Sequence, residues 1–192
     1  MDTGAMTELI AKESPRFKAR VAGVFYLLSV LTAVSGEVFL RGKLGFAAGL
    51  IAVACYVVVT LMLYDIFKPV SRSLSLLAAS FNLVGLTFEA FRLNPQGVNV
   101  ALVLHGFYCL LIGYLSFRST FLPRILGVLM AFAGLAWLTN LSPSLAKYLS
   151  PYNVACGFLG VASLMLWLLV IGVNVQRWNT TQASVVRGSN RT

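Results

Sequence analysis

The chain has 192 residues, of which 58% are hydrophobic and 11% are charged, and its mean hydropathy is +0.83. Because a soluble domain carries about 25% charged residues, six acidic and 15 basic residues cannot give this chain a polar surface, and a soluble globular protein is excluded. The net charge of +9 does not indicate nucleic-acid binding either, because the basic residues lie in short segments between apolar runs and form no stripe alternating with aromatic residues.

Six apolar runs are each long enough to cross a membrane as a helix, which takes about 20 residues. They are continuous and do not alternate between apolar and polar residues, so the pattern predicts helices and not the strands of a barrel. The chain is therefore predicted to be an all-α bundle of six transmembrane helices (residues 19–178) between two cytoplasmic tails, residues 1–18 and a mobile segment, residues 179–192. The predicted spans are residues 21–40, 44–67, 74–91, 98–117, 121–141 and 152–175.

The basic residues predict the orientation of these spans. Cytoplasmic loops of membrane proteins carry an excess of lysine and arginine. One side of the predicted bundle has four basic residues, which are Arg41, Lys43, Arg92 and Lys147. The other side has eleven, which are Lys12, Arg16, Lys18, Arg20, Lys68, Arg72, Arg118, Arg124, Arg177, Arg187 and Arg191. We therefore expect both termini in the cytoplasm of a cell whose inner membrane holds the six spans.

The first span has an alternative interpretation as a cleaved signal peptide. Basic residues precede it, and Ala33-Val34-Ser35 is a tolerable cleavage site. However, the apolar run continues past this site to Leu40, which favours an uncleaved span. Cleavage would leave five spans in the membrane.

A weak internal repeat runs through the chain. Arg20, Arg72 and Arg124 open spans one, three and five at equal intervals, because 72 − 20 and 124 − 72 both give 52. Two further sets keep the same interval, namely Gly23, Ser75, Gly127 and Glu37, Glu89, Leu141. The spacing indicates either three tandem helical hairpins, as in some transporters, or a chance similarity of hairpin length.

Four polar residues within the spans form the candidate pocket. Ionisable residues inside a membrane are costly and are functional candidates by default. Glu37 and Glu89 lie near the outer ends of spans one and three, Asn82 lies in the middle of span three, and His105 lies close to the midplane in span four. The helical period places Asn82 and Glu89 on one stripe with small residues, so this face is predicted to turn inward. Tyr26 and Asn153 belong to corresponding stripes of spans one and six. The pattern predicts a polar pocket in the extracytoplasmic half.

The same residues also fit a purely structural role. Glu37 can pair with Arg41 at i,i+4, and Glu89 can pair with Arg92 at i,i+3. His105 can donate one hydrogen bond to a neighbouring helix and serve only to hold the bundle together. Neither interpretation is excluded by the sequence.

No motif in the sequence indicates a metal, a cofactor or catalysis. His105 and Cys109 are two possible ligands at i,i+4, but a closed zinc site needs more than two. The chain lacks the GxSxG, HExxH, Walker A and GxGxxG patterns, so no catalytic residue is assigned and an enzymatic activity is not indicated. The cofactor, if the protein has one, is left open.

Several segments resemble a bacterial multipass membrane family known as domain of unknown function 4386. The likeness extends over residues 19–178 and is most specific between residues 113 and 129. The segments are residues 19–28 (ARVAGVFYLL), 36–44 (GEVFLRGKL), 68–74 (KPVSRSL), 113–119 (GYLSFRS), 121–129 (FLPRILGVL) and 167–178 (WLLVIGVNVQRW). The resemblance implies a six-span bacterial inner-membrane protein, and it implies no activity and no catalytic residues. The connections after Leu44 and Arg92 are shorter than is usual for the family.

Two functions of different classes follow from these observations. In the first, the protein is a module that binds or transports a small molecule or an ion in the pocket of Glu37, Asn82, Glu89 and His105. In the second, it is a structural or accessory subunit of a larger membrane complex. Its expected partners are the lipid bilayer and either other membrane subunits or further copies of itself, without nucleic acid.

Overall fold

The computed structural model describes residues 15–39, 42–93, 95 and 98–189, apart from the side chains of residues 37, 38 and 184–189. Six of its helices are long and apolar enough to cross a membrane, which confirms the predicted all-α bundle of six spans. These spans are α1 to α5 and α7, and α6 and α8 are additional helices. The bounds are α1 Pro15–Val38, α2 Lys43–Phe67, α3 Arg72–Ala90, α4 Val100–Arg118, α5 Arg124–Leu138, α6 Pro143–Leu149, α7 Tyr152–Val170 and α8 Val175–Ser189, with a 3₁₀ turn at Thr139–Leu141 after α5.

The local sequence explains several helix ends. α2 ends one residue before Lys68-Pro69, and α5 begins directly after Pro123, since proline has no N–H for the helix interior. Asn99 caps α4, because its side-chain oxygen accepts a hydrogen bond from the N–H of Leu102 at 3.2 Å. α7 ends at Val170, earlier than the predicted residue 175. Gly172 follows it with a φ of 74°, a conformation that favours glycine and stops the helix.

The six spans form a closed ring. Each span packs against the next one along the chain, and α7 packs against α1 to close the circle. Short connections between antiparallel helices favour this arrangement. Large side chains such as Tyr26, Tyr108 and Met130 are buried inside it, whereas apolar side chains such as Leu31 and Val84 are exposed on the outside. The exposed apolar surface is the one that lipid would cover.

α4 and α5 pack closely against each other through two pairs of glycines. A Cβ atom added to Gly113 would lie 2.8 Å from the carbonyl oxygen of Gly127, and one added to Gly127 would lie 2.7 Å from that of Gly113. Gly106 and Gly134, each seven residues away along its helix, approach each other in the same way. Small residues at these positions let two backbones touch, as is common in membranes.

Three residues of the predicted repeat occupy equivalent places in the ring. Gly23, Ser75 and Gly127 each face the span that precedes their own around the circle. A Cβ atom on Gly23 would lie 2.7 Å from the nitrogen of Leu169, and one on Gly127 would lie 2.7 Å from the nitrogen of Phe117. The hydroxyl of Ser75 donates to the carbonyl of Tyr64 at 3.0 Å. These contacts agree with tandem hairpins, and a three-fold relation among the hairpins stays a prediction.

The two ends of the ring differ, and we name them by their contents. At the α8 end, Trp178 of α8 donates its indole N–H to the carbonyl of Ile66 at 3.1 Å, and Arg177 donates to the carbonyl of Thr120 at 3.2 Å. α8 thus lies against the ends of α2 and α4 through residues that precede the predicted tail, and the mobility of residues 179–192 stays a prediction. The opposite end, where α3 ends and α4 begins, is the Glu89 end.

At the α8 end, arginine side chains connect the first span to the last one. Arg16 and Arg20, in the first turns of α1, donate hydrogen bonds to the carbonyls of Ile171 and Val170, both at 3.3 Å. Carbonyls at the end of a helix have no partners within that helix, and basic side chains satisfy them well. The junction between the first and last spans is therefore stabilised by charge-assisted hydrogen bonds.

Candidate functional site

A chain of hydrogen bonds connects α2, α3 and α4 inside the ring. The amide Nδ2 of Asn82 donates to Oγ1 of Thr60 at 2.6 Å, and Oδ1 of Asn82 lies 3.1 Å from Nδ1 of His105. Nε2 of His105 lies 3.4 Å from Sγ of Cys109, one turn along α4. Thr60 in turn donates to the carbonyl of Tyr56 in its own helix at 2.8 Å.

In this network each group donates its hydrogen bond to the next group on the way from Cys109 to the carbonyl of Tyr56. Thr60 uses its only hydroxyl hydrogen on the Tyr56 carbonyl, so its oxygen accepts from the amide of Asn82. Oδ1 of Asn82 then faces His105, and Nδ1 of the imidazole must carry the hydrogen that binds it. Nε2 is left as the acceptor for the thiol of Cys109. The imidazole of His105 is therefore held by a bond at each ring nitrogen.

An inner cavity of about 170 Å³ lies beside this network, between the network and the Glu89 end. It exceeds the roughly 150 Å³ of an engineered cavity that binds benzene. Each of the six spans supplies at least one residue of its lining. The polar residues that line it are Tyr26, Ser29, Tyr56, Asn82, Glu89 and His105.

Aromatic rings follow one another along the wall of the inner cavity. Ring centroids of Tyr26 and Tyr56 are 5.0 Å apart, and those of Tyr56 and His105 are 5.6 Å apart. Trp137 continues the series at 6.1 Å from His105, and Phe158 ends it at 5.8 Å from Trp137. All five residues line the cavity. The hydroxyls of the first two are joined by a 2.8 Å hydrogen bond, which fixes their rings relative to each other.

An outer cavity of about 310 Å³ lies next to the inner one. It is bordered by Phe46, Arg92 and Asn99 and shares Glu89 with the inner cavity. The guanidinium of Arg92 lies over the ring of Phe46, with 5.6 Å between its carbon and the ring centroid. The exposed Glu89 therefore stands where the two cavities adjoin.

The structure brings three of the four predicted pocket residues around one cavity. Asn82, Glu89 and His105 all line the inner cavity. Glu37 belongs to α1, but its side chain and all of Arg41 lie outside the described residues, so the Glu37–Arg41 pair stays a prediction, as does the Glu89–Arg92 pair. Within the part of the chain that the structure describes, no group of three His, Cys, Asp or Glu residues could hold a metal ion.

Asn153, which was also expected to face the pocket, has a different role. Its amide nitrogen donates to Oγ1 of Thr139 at 3.0 Å and lies 3.4 Å from the carbonyl of Ala146. It thus connects the start of α7 to the segment between α5 and α6. Its amide is engaged by backbone and hydroxyl groups of the segment that joins α5 to α7.

Trp137 is the lining residue that the sequence analysis missed most clearly. It stands near the end of a span, where tryptophan is typical of an interfacial anchor. In the structure it is only 7% exposed, and its indole edge rests on Gly157 of α7. A Cβ atom at Gly157 would lie 2.5 Å from this indole. The pairing of a tryptophan with a glycine on another span was not visible from either position alone.

Comparisons with known proteins assign the chain to a family. The family described as "Domain of unknown function (DUF4386)" matches residues 41–95 and 87–172. A relative from Archaeoglobus fulgidus, described as an uncharacterized protein, is 26% identical over 127 residues, which cover 60% of this chain and 76% of the relative. No solved structure matches the chain. Because the family matches span well over half of its length, the chain belongs to the DUF4386 family.

Proposed function

We propose that this protein is a membrane-embedded module that binds a small molecule in the inner cavity. The observation that carries the proposal is that the interior of the ring, which otherwise holds an apolar core, is not filled toward the Glu89 end. It contains a cavity whose wall includes Glu89 and the fixed imidazole of His105. Interiors of proteins are normally close-packed, and polar or ionisable residues inside a bundle mark a functional site by default.

The charge distribution supports entry of the ligand from the extracytoplasmic side. The described basic residues at the α8 end include Lys18, Lys68 and Arg118, and the positive-inside rule places this end in the cytoplasm. α8 lies across it. The outer cavity belongs to the Glu89 end, which the same rule places outside. We therefore propose an inner-membrane location with both termini in the cytoplasm and a pocket that opens outward.

The proposal is tested by the chemical accessibility of Ser29. This residue lines the inner cavity and lies about 14 Å along α1 from the end of the helix. We expect Ser29→Cys to react with a charged, membrane-impermeant methanethiosulfonate, in purified protein carrying Cys55→Ala and Cys156→Ala. Cys109 can stay in this background, because it is fully buried and bonded to His105. Intact-mass spectrometry measures the modified fraction over time.

Leu31→Cys provides the matched control on the same helix. Leu31 is 54% exposed on the outside of the ring, where lipid or detergent keeps a charged reagent away. We expect it to react much more slowly than Ser29→Cys, although its side chain is the more exposed of the two. The contrary outcome is that Ser29→Cys stays unmodified under conditions that fully label the exposed position of Leu93→Cys. A polar ligand then has no access to the inner cavity. The alternative function, an accessory subunit whose polar residues only pack helices, takes precedence in that case.

A further inference from the structure

We propose that the ligand of the inner cavity is a small organic cation of the alkylated ammonium class. This inference rests on the proposed function and adds the chemistry of the ligand. Three features of the cavity carry it, namely the series of aromatic rings, the sign of the charge on its lining and its size.

The aromatic rings are the first feature. The negative faces of Tyr, Trp and Phe attract a cation within about 6 Å of the ring centroid, and aromatic cages are a recurrent site for quaternary ammonium groups. Tyr26, Tyr56, Trp137 and Phe158 all line the inner cavity, and each lies within 6.1 Å of the next ring of the series through His105. Neighbouring rings are inclined by 54° to 74°. An edge-to-face contact occupies one face of only one ring in each pair, so other ring faces of the series are left for a ligand.

The charge on the lining is the second feature. Within the described lining of the inner cavity, Glu89 is acidic and no residue is lysine or arginine, whereas Arg92 borders the outer cavity that Glu89 shares. The imidazole of His105 is bonded only to the neutral groups of Asn82 and Cys109. An anionic ligand would therefore meet a carboxylate and aromatic faces, whereas a cation is attracted by both.

The size and the donor set are the third feature. A bare metal ion takes six or more oxygen ligands or a cluster of imidazole and thiolate groups, and no group of three His, Cys, Asp or Glu residues among the described residues provides this. A cavity of about 170 Å³ instead fits an organic group somewhat larger than benzene. An ammonium with methyl substituents combines that size with a charge that is weakly hydrated and an apolar outer surface.

The test compares three probes of the same shape and different charge. Choline is cationic, 3,3-dimethylbutan-1-ol is its neutral carbon analogue, and 3,3-dimethylbutanoate is the anionic counterpart. We expect isothermal titration calorimetry on the full purified chain to give choline at least tenfold tighter binding than the alcohol and no measurable binding of the carboxylate. If the alcohol or the carboxylate binds as well as choline, the cation proposal is wrong while the proposed function stands.

Absence of binding by all three probes also overturns the cation proposal for ligands of this size. The labelling of Ser29→Cys then decides separately whether the cavity accepts small molecules at all. The two proposals therefore fail in different experiments.

Variants connect choline binding to this cavity. We expect Glu89→Gln to weaken it about tenfold, because the substitution keeps the shape of the side chain and removes its charge. Phe158→Leu should weaken it about threefold through loss of one ring. Phe107→Leu is the matched control, because Phe107 is 38% exposed, as Phe158 is 45% exposed, but stacks on Phe81 outside the cavity. Equal affinities in the wild type, Glu89→Gln and Phe158→Leu would place choline elsewhere and contradict the proposal.

Discussion

Asn82 and His105 illustrate how a buried polar pair shapes the bundle. These two side chains are bonded to each other, and Thr60 and Cys109 each bond to one of them. A buried polar group without a partner costs free energy, so removal of one member of the network destabilises the protein by leaving its neighbour unsatisfied. Hydrogen bonds between transmembrane helices contribute about 0.6 kcal/mol on average and up to about 1.7 kcal/mol. The Asn82–His105 bond is expected in the upper part of that range, because its partners hold both side chains in place.

A double-mutant cycle of Asn82→Leu and His105→Leu measures this coupling. We expect an interaction free energy of about 1.5 kcal/mol in reversible unfolding by SDS. Ser80→Ala with His105→Leu is the control cycle, since Ser80 lies on the same helix but is exposed and bonds only to the carbonyl of Leu76. Its coupling should be near zero. A coupling for the first cycle as small as that of the control would show that the pair does not stabilise the fold.

At the scale of residues, the sequence was informative where a polar side chain is rare. Asn82 and His105 stand out within apolar runs, so they could be predicted as inward-facing. Tyr56 and Trp137 could not, because aromatic residues occur in spans for several reasons, including anchoring at the interface. Their part in the cavity depends on which helices are neighbours, and Gly157 makes room for Trp137 from another span.

The α4–α5 interface shows what decides contact between whole elements. Without a hydrophobic driving force between helices in lipid, close backbone packing is a main source of their association. Gly113 and Gly127 permit it, since the backbone of one helix occupies the space that a side chain on the other would need. The sequence shows Gly106 and Gly113 seven residues apart on span four, but it does not identify the glycines that face them.

Alanine substitutions of two glycines test this interface. Gly113→Ala should lower the free energy of unfolding by about 1–3 kcal/mol, because the added methyl group meets the backbone of α5. Gly49→Ala should leave it unchanged or raise it by up to about 1 kcal/mol, because a Cβ atom there meets nothing within 4 Å and alanine favours the helix. Both can be measured by SDS unfolding. If the two variants lose the same stability, close packing at Gly113 is not what joins α4 to α5.

Helix boundaries were predicted best where the sequence carries a strong stop signal. α2 ends at Phe67 as predicted because Lys68-Pro69 follows, and α7 begins at Tyr152 as predicted after Pro151. α8 was not predicted, since a segment rich in Ser, Thr and Asn has little intrinsic preference for a helix. Its contacts through Arg177 and Trp178 with the ends of other spans supply the tertiary stabilisation that propensity lacks.

For the whole molecule, hydropathy predicted six spans but not the ring. Each apolar run needs only lipid or another helix on its surface, so its composition does not determine its neighbours. The closure of α7 on α1 depends on particular contacts, such as the packing of Gly23 against Leu169 and the bond of Arg20 to Val170. The inner cavity is a consequence of this closure and for that reason could be predicted only as a set of inward-facing residues.

The central proposal is that the ring holds a ligand cavity that opens toward the Glu89 end. The rate of modification of Ser29→Cys by an impermeant methanethiosulfonate, compared between right-side-out and inside-out membrane vesicles, tests this claim most directly. The account predicts a reaction at least tenfold faster in right-side-out vesicles, because the Glu89 end carries the outer cavity and α8 lies across the other end. Equal rates in the two preparations, or faster modification from the cytoplasmic side, would contradict it.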